Sequence, residues 1–140
     1  MLSLAMSKST KKSSNEKVQE PVRQRVFKSA WFDKTARKAQ ITDSHLCAAI
    51  QQVMLGQADD LGGGVYKKRL NDNMHRSIVL AKGGQYWVYQ FLFAKKDRDN
   101  IDDDELATFK LLAKHYAQLN EEQVTQMLAI REFLEICHDC

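Results

Sequence analysis

The chain predicts an α+β fold in which a small antiparallel β-sheet is flanked by an N-terminal α-hairpin and C-terminal helices, and three observations carry that reading. Strand-like segments run from Val65 to Leu70, Arg76 to Lys82 and Tyr86 to Phe93, separated by Asn71-Asp72-Asn73 and by Gly83-Gly84, both hairpin signals. Ahead of them, apolar residues recur at helical spacing in two consecutive segments. Behind them, Asp102 and Glu105 make a capping-box pattern in front of another helical stripe. At 140 residues with 44% hydrophobic content, the chain supports one modest core.

The elements follow in order. Residues 1 to 22 are rich in Ser, Lys, Gln and Glu, lack aromatics and end near the only proline, Pro21. Such a segment cannot bury enough apolar surface to offset chain ordering, so a disordered basic tail is expected before a domain over residues 23–140. Met6 would serve equally well as a start. Arg25 to Lys28 reads as a first strand, leading into a helix to Ala39 that places Trp31, Phe32, Thr35, Ala36 and Ala39 at helical spacing. Thr42 or Asp43 caps a second helix with Leu46, Ala49, Ile50 and Val53 on one face, ending near Gly56. Gly62-Gly63-Gly64 lacks a Gly-Lys-Ser/Thr ending and leads into a strand, so it is a turn, not a phosphate cradle. After the three strands, Leu106, Phe109, Leu112, Ala113 and Tyr116 form the buried face of a third helix, with Asp102 to Glu105 compensating its dipole. Asn120 to Ile130 is a weaker fourth helix, and Phe133 to Ile136 is a short strand or extended cover.

Charge is unevenly divided. Residues 1–28 carry seven Lys and Arg against two Glu, residues 29–100 eleven against seven acids, and residues 101–140 three against nine, for a net +3. Within Val65–Arg98 the balance is eight to two, because Lys67, Lys68, Arg69, Arg76, Lys82, Lys95, Lys96 and Arg98 face only Asp72 and Asp97. A sheet carrying a local charge of +6 is suited to a polyanion. Period-two geometry points Lys67 and Arg69 together, with Lys68 on the other face.

Cys47, Cys137 and Cys140 are an odd and sparse set, which suggests a reducing, cytoplasmic setting. The opening MLSLAM is too short for a secretory segment, and no run approaches the ~18 apolar residues of a membrane span. Cys137-His138-Asp139-Cys140 resembles a Cys-x-x-Cys pair without a second pair, so neither metal nor cofactor is expected.

The succession GGGVYKKRL, HRSIVL and FLFAKKDRDNI, followed by an acidic helix start, resembles the RelE/ParE superfamily of bacterial toxins, nearest the RelE-like, HigB-type branch that pairs with helix-turn-helix antitoxins. The similarity covers Val26 to Leu119. Its strongest part is Phe93-Ala94-Lys95-Lys96-Asp97-Arg98 with Asn100-Ile101. Many relatives carry Gly-Gly-Tyr-Arg before the second sheet strand, where this chain has Asn73-Met74-His75-Arg76; the arginine matches and the glycines and tyrosine do not. The resemblance implies the toxin of a type II toxin–antitoxin pair, partnered by a cognate helix-turn-helix antitoxin. Such toxins cleave mRNA in the ribosomal A site without a metal.

That chemistry needs a group to take the 2′-hydroxyl proton, cations for the phosphorane and a proton donor for the leaving 5′-oxygen. Arg76 and Arg69 are the candidate phosphate stabilisers, Lys67 a proton acceptor or electrostatic partner, and Lys95 the next catalytic candidate. Crowding among Lys67, Lys68 and Arg69 is a way to lower a lysine pKa. Lys68, Lys96 and Arg98 are candidate RNA contacts. His75 suits acid/base work but points away from Arg76, and Tyr86 and Tyr89 either stack a base or belong to the core. Two alternatives stay open: a ParE-like gyrase inhibitor, which does not need Lys67, Arg69 and Arg76 on one face, and a non-catalytic nucleic-acid-binding domain.

Overall fold

The computed structural model describes residues 24–82 and 85–138, so the N-terminal tail, the Gly83-Gly84 turn and Cys140 lie outside the described residues. The chain runs β1 (Arg25–Ser29), α1 (Ala30–Lys38), α2 (Asp43–Met54), β2 (Asp59–Gly62), β3 (Val65–Leu70), β4 (His75–Lys82), β5 (Tyr86–Ala94), α3 (Asp103–Ala117), α4 (Glu121–Ala129) and β6 (Phe133–Ile136). Each helix starts at a side-chain cap. Ser29 accepts from Phe32 N–H and Thr42 from His45 N–H, while Asp102 with Glu105 and Asn120 with Gln123 form complete capping boxes.

The six strands form one sheet in the order β2-β3-β4-β5-β1-β6. The fold class is α+β as the sequence predicts, but the sheet is mixed: β1 runs parallel to β5, and the other pairs are antiparallel. The difference comes from α1 and α2, which carry the chain from β1 to the far edge at β2. Antiparallel steps through β3 and β4 then return it to β5 beside β1, and a helical crossover permits a parallel neighbour where a hairpin does not. The edge strand β2 is an addition to the expected elements. Its Asp-Asp-Leu-Gly sequence has low strand propensity and is held by pairing to β3.

The sheet separates two cores. On one face α1 and α2 cover Val26, Leu70, Val79, Trp87 and Tyr89; on the other α3 and α4 cover Phe27, Val65, Ile78, Leu80, Val88 and Phe93. A bulge decides which face the end of β5 presents. Ile78 pairs with Phe91 but Val79 with Tyr89, so Gln90 is the extra residue. Alternation reverses there, and Phe91 and Phe93 join the core of Tyr86 and Val88.

Cys47 on α2 is joined to Cys137, just after β6, with their Cα atoms 5.5 Å apart. This pairing departs from what an odd, sparse set of cysteines suggests, because the fold brings together two residues 90 apart in sequence. Where β1 leads into α1, Lys28 is buried and its Nζ meets Asp33 at 2.5 Å and the exposed Asp43 at 2.7 Å, so this strand lysine belongs to a local ion cluster. Among the described residues no helix is long and apolar enough to cross a membrane.

Candidate functional site

Three residues stand in one row across the sheet: Arg69 on β3 pairs with Arg76 on β4, and Arg76 with Phe93 on β5. Lys67 occupies the next position on the same face, paired with Ile78. Lys67, Arg69 and Arg76 therefore share the α3 side of the sheet, beyond the apolar residues that α3 covers.

Arg76 is the most constrained of them. It is 8% exposed, and its Nη1 donates to the carbonyls of Asn73 at 3.0 Å and His75 at 3.2 Å. Among the described residues no carboxylate lies within ion-pair distance of it. A buried guanidinium held only by neutral acceptors keeps its charge unneutralised, which favours an incoming anion. The Asn73 carbonyl belongs to a turn in which Asn71, Asp72 and Asn73 have φ of 55°, 54° and 69°. Asn and Asp are the non-glycine residues that best tolerate this left-handed conformation. The Asn-Asp-Asn run thus supplies the bend that leads into Arg76.

Lys67 Nζ lies 3.7 Å from Asp59 Oδ2, an acceptor contributed by β2. Arg69 is exposed. Lys68 points to the opposite face, where its Nζ donates to the Gln57 carbonyl at 3.2 Å. Its pKa is lowered, first because it is partly buried and then because Arg69 is adjacent.

Lys95 and Lys96 are exposed and line a cleft of about 570 Å³ at the end of the sheet, with Asp72, Asn73, Met74, His75, Ala94 and Asp99. Two of these lining residues are joined by the Lys95 N–H, which donates to the Met74 carbonyl at 2.8 Å. His75 lies on the face opposite Arg76, its Nδ1 3.2 Å from Asn71 Nδ2. Burial and then the Lys96 charge lower its pKa, against a smaller opposing effect of Asp97.

Arg98 is engaged differently from the rest. Its guanidinium forks onto both carboxylate oxygens of Glu105, its Nε donates to the Asn100 carbonyl at 2.9 Å, and it lies 5.4 Å over the Phe93 ring. Glu105 is held below its usual pKa chiefly by Arg98 and then by the Asp102 backbone N–H. Arg98 therefore ties the start of α3 to the end of β5. Tyr86 and Tyr89 resolve as core residues: Tyr89 is fully buried and donates to the Leu46 carbonyl at 2.7 Å, and Tyr86 is buried and donates to Glu121 at 2.6 Å. Burial and then Glu121 push Tyr86 up to about 12.

The expected cations thus divide into a row of Arg69 and Arg76 with Lys67 beside it, a cleft edge of Lys95 and Lys96, a reverse-face Lys68 and a structural Arg98. Sequence reasoning missed Asp59 as a partner, because β2 itself carries no clear strand signal. It placed Glu105 as a helix cap without showing that the same carboxylate holds Arg98. Among the described residues no group of three His, Cys, Asp or Glu is placed to hold a metal ion.

Among curated proteins, none matches the chain at a significant level. A family model described as the RelE toxin of the RelE/RelB toxin–antitoxin system matches residues 24–136, which takes in every strand and helix above. The row of Arg69 and Arg76, the turn that holds it and the sheet beneath it all lie within that match, and the chain belongs to the RelE toxin family.

Proposed function

We propose that this RelE-family toxin blocks translation as a ribosome-dependent mRNA endonuclease, and that a cognate helix-turn-helix antitoxin holds it in check. RelE-family toxins are generally endoribonucleases, and membership in the family implies an antitoxin partner. The observation that carries the finer reading is Arg76: a buried guanidinium, fixed by two carbonyls and with no carboxylate partner among the described residues, opposite a second arginine. A phosphate lying on this row meets two guanidinium groups, neither of which is held in an ion pair among the described residues. Charge that develops on the phosphorane is then met by donors already in place.

In this scheme Arg76 and Arg69 bind and stabilise the scissile phosphate. Lys67, on the same face and next to Asp59, acts on the neighbouring 2′-oxygen as electrostatic partner. Lys95, exposed at the same end of the sheet, is the candidate proton donor to the leaving 5′-oxygen, and Lys96 contacts RNA backbone, while Lys68, on the reverse face, does not reach this row. The shared face of Lys67, Arg69 and Arg76 favours RNA cleavage over gyrase inhibition, which has no need of that arrangement.

The test is induced expression without antitoxin, followed by primer extension on translated messages. New ends within translated codons are expected, and they should disappear in Arg76→Ala. Continued protein synthesis with stalled DNA replication would instead support the gyrase reading.

A further inference from the structure

Trp31 sits in the first turn of α1 and, at 49% exposure, is the one exposed Phe, Trp or Tyr side chain among the described residues. It is not a loose surface residue. Its helix is capped by Ser29, whose hydroxyl also donates to the Gln90 carbonyl at 3.3 Å, and the next residue, Phe32, is fully buried. The indole stacks on Phe91 with centroids 5.0 Å apart and planes 16° from parallel. Phe91 in turn meets Phe93 at 6.0 Å, and Phe93 is the residue paired with Arg76. Two ring-to-ring steps therefore connect an exposed indole to the guanidinium row.

Topology places these groups together. Because β1 is parallel to β5, the end of β1 that feeds α1 and the end of β5 that carries Phe93 lie at the same end of the sheet as Arg69 and Arg76. Along α1, Lys34 and Lys38 follow Trp31 at three and seven residues, on the same helix face. Both are exposed, and no ion pair holds either of them among the described residues. Asp33 is already engaged by Lys28 and Arg37.

We propose that Trp31 is a base-stacking platform for single-stranded RNA, with Lys34 and Lys38 following the phosphate backbone along α1 away from the Arg69–Arg76 row. Phe91 occupies one face of the indole, and a flanking nucleobase stacks on the other. The inference deepens the endonuclease reading and rests on it for the identity of the ligand. A ring plane interleaved with lysines is the arrangement by which single strands are held without sequence readout.

The experiment uses tryptophan fluorescence of the full chain, which contains only Trp31 and Trp87. Trp87 is buried and donates from Nε1 to Gln24, so quenching by an added base reports on Trp31. The probe is a short 2′-O-methyl oligoribonucleotide, which binds but offers no 2′-hydroxyl for cleavage, compared with an abasic strand of equal length. The base-bearing strand should quench emission and the abasic strand should not. Trp31→Ala should weaken binding about tenfold or more, whereas Trp31→Phe should keep affinity while losing the signal. Unchanged affinity in Trp31→Ala, or equal quenching by the abasic strand, would overturn the proposal. So would a Trp31→Ala protein that loses only antitoxin binding, which would make the indole a protein anchor. Base-dependent quenching in a protein that never cuts ribosome-bound mRNA would sink the endonuclease reading and leave the stacking platform standing.

Discussion

Arg69 and Arg76 stand directly opposite each other across the β3–β4 ladder, two like charges on one face of the sheet. Like charges in that relation destabilise a strand pair by roughly 0.2–1 kcal/mol. Their retention side by side is understandable if the charge serves a ligand, because a bound phosphate reverses the sign of the interaction. Arg69→Gln is therefore expected to raise stability by about 0.5 kcal/mol in denaturant unfolding. The same variant should cleave more slowly on programmed ribosomes. A variant that is both less stable and fully active would contradict this account of the pair.

Arg76→Ala and Arg98→Ala remove the same charge but should fail in different ways. Arg76 is held in the row by the carbonyls of Asn73 and His75, so its loss should lower single-turnover cleavage on saturating ribosomes by ~100-fold or more. Arg98 is spent on Glu105 and Phe93, so its loss should chiefly lower the melting temperature by loosening the start of α3. Equal cleavage rates for Arg76→Ala and the unaltered protein would remove Arg76 from the site.

The turn beneath Arg76 offers a test of how the site is built. Asp72 has φ of 54° and is exposed, so a glycine fits its backbone and a β-branched residue does not. Asp72→Gly should leave stability and cleavage close to unaltered. Asp72→Val should cost about 1–2 kcal/mol from left-handed strain and reduce cleavage through displacement of the Asn73 carbonyl. Full activity in Asp72→Val would show that the turn does not position Arg76.

The disulfide gives a prediction with a redox readout. Cys47–Cys137 closes a loop of 90 residues and ties α2 to the end of β6. Its removal in Cys47→Ser should lower unfolding free energy by roughly 2–4 kcal/mol under oxidising conditions. Dithiothreitol should bring the unaltered protein to the same midpoint and leave Cys47→Ser unmoved. A midpoint in the unaltered protein that is insensitive to reductant would count against the cross-link.

Much of this arrangement is legible in the sequence, and the parts that are not share a cause. Strands β3 to β5 follow from alternation and from Asn-Asp-Asn, and the common direction of Lys67 and Arg69 follows from period two. That Arg76 joins them depends on register across the turn, and that Phe93 does so depends on the bulge at Gln90, which reverses the parity of β5. Strand β2 exists because β3 pairs with it, not because Asp59 and Asp60 favour extension. Arg98 carries the same charge as its neighbours in sequence, and only the path of the chain between β5 and α3 brings it onto Glu105. The Cys47–Cys137 contact spans most of the fold. Local pattern reveals element type and side-chain direction within one strand; pairings between distant elements come from the assembled sheet.

The final prediction concerns acid stability. Arg25 on β1 forks onto Glu135 on β6, with Nε to Oε2 at 2.9 Å and Nη2 to Oε1 at 2.8 Å. This bond holds the Glu135 carboxyl below its usual value of 4.5, outweighing the opposing effect of its partial burial. A carboxyl with a depressed folded-state pKa binds protons more readily once the chain unfolds. Its stabilising contribution is therefore complete above its unfolded pKa and declines as pH falls through the folded one. Melting temperatures of the unaltered protein and Glu135→Gln should differ by a constant amount near neutrality, with the unaltered protein higher. The gap should narrow below about pH 4.5 and go on narrowing as pH falls through the depressed folded-state value, where the unaltered carboxyl also becomes neutral. A gap that persists undiminished at the acid end would mean that Glu135 stabilises β6 by its packing and not by its charge.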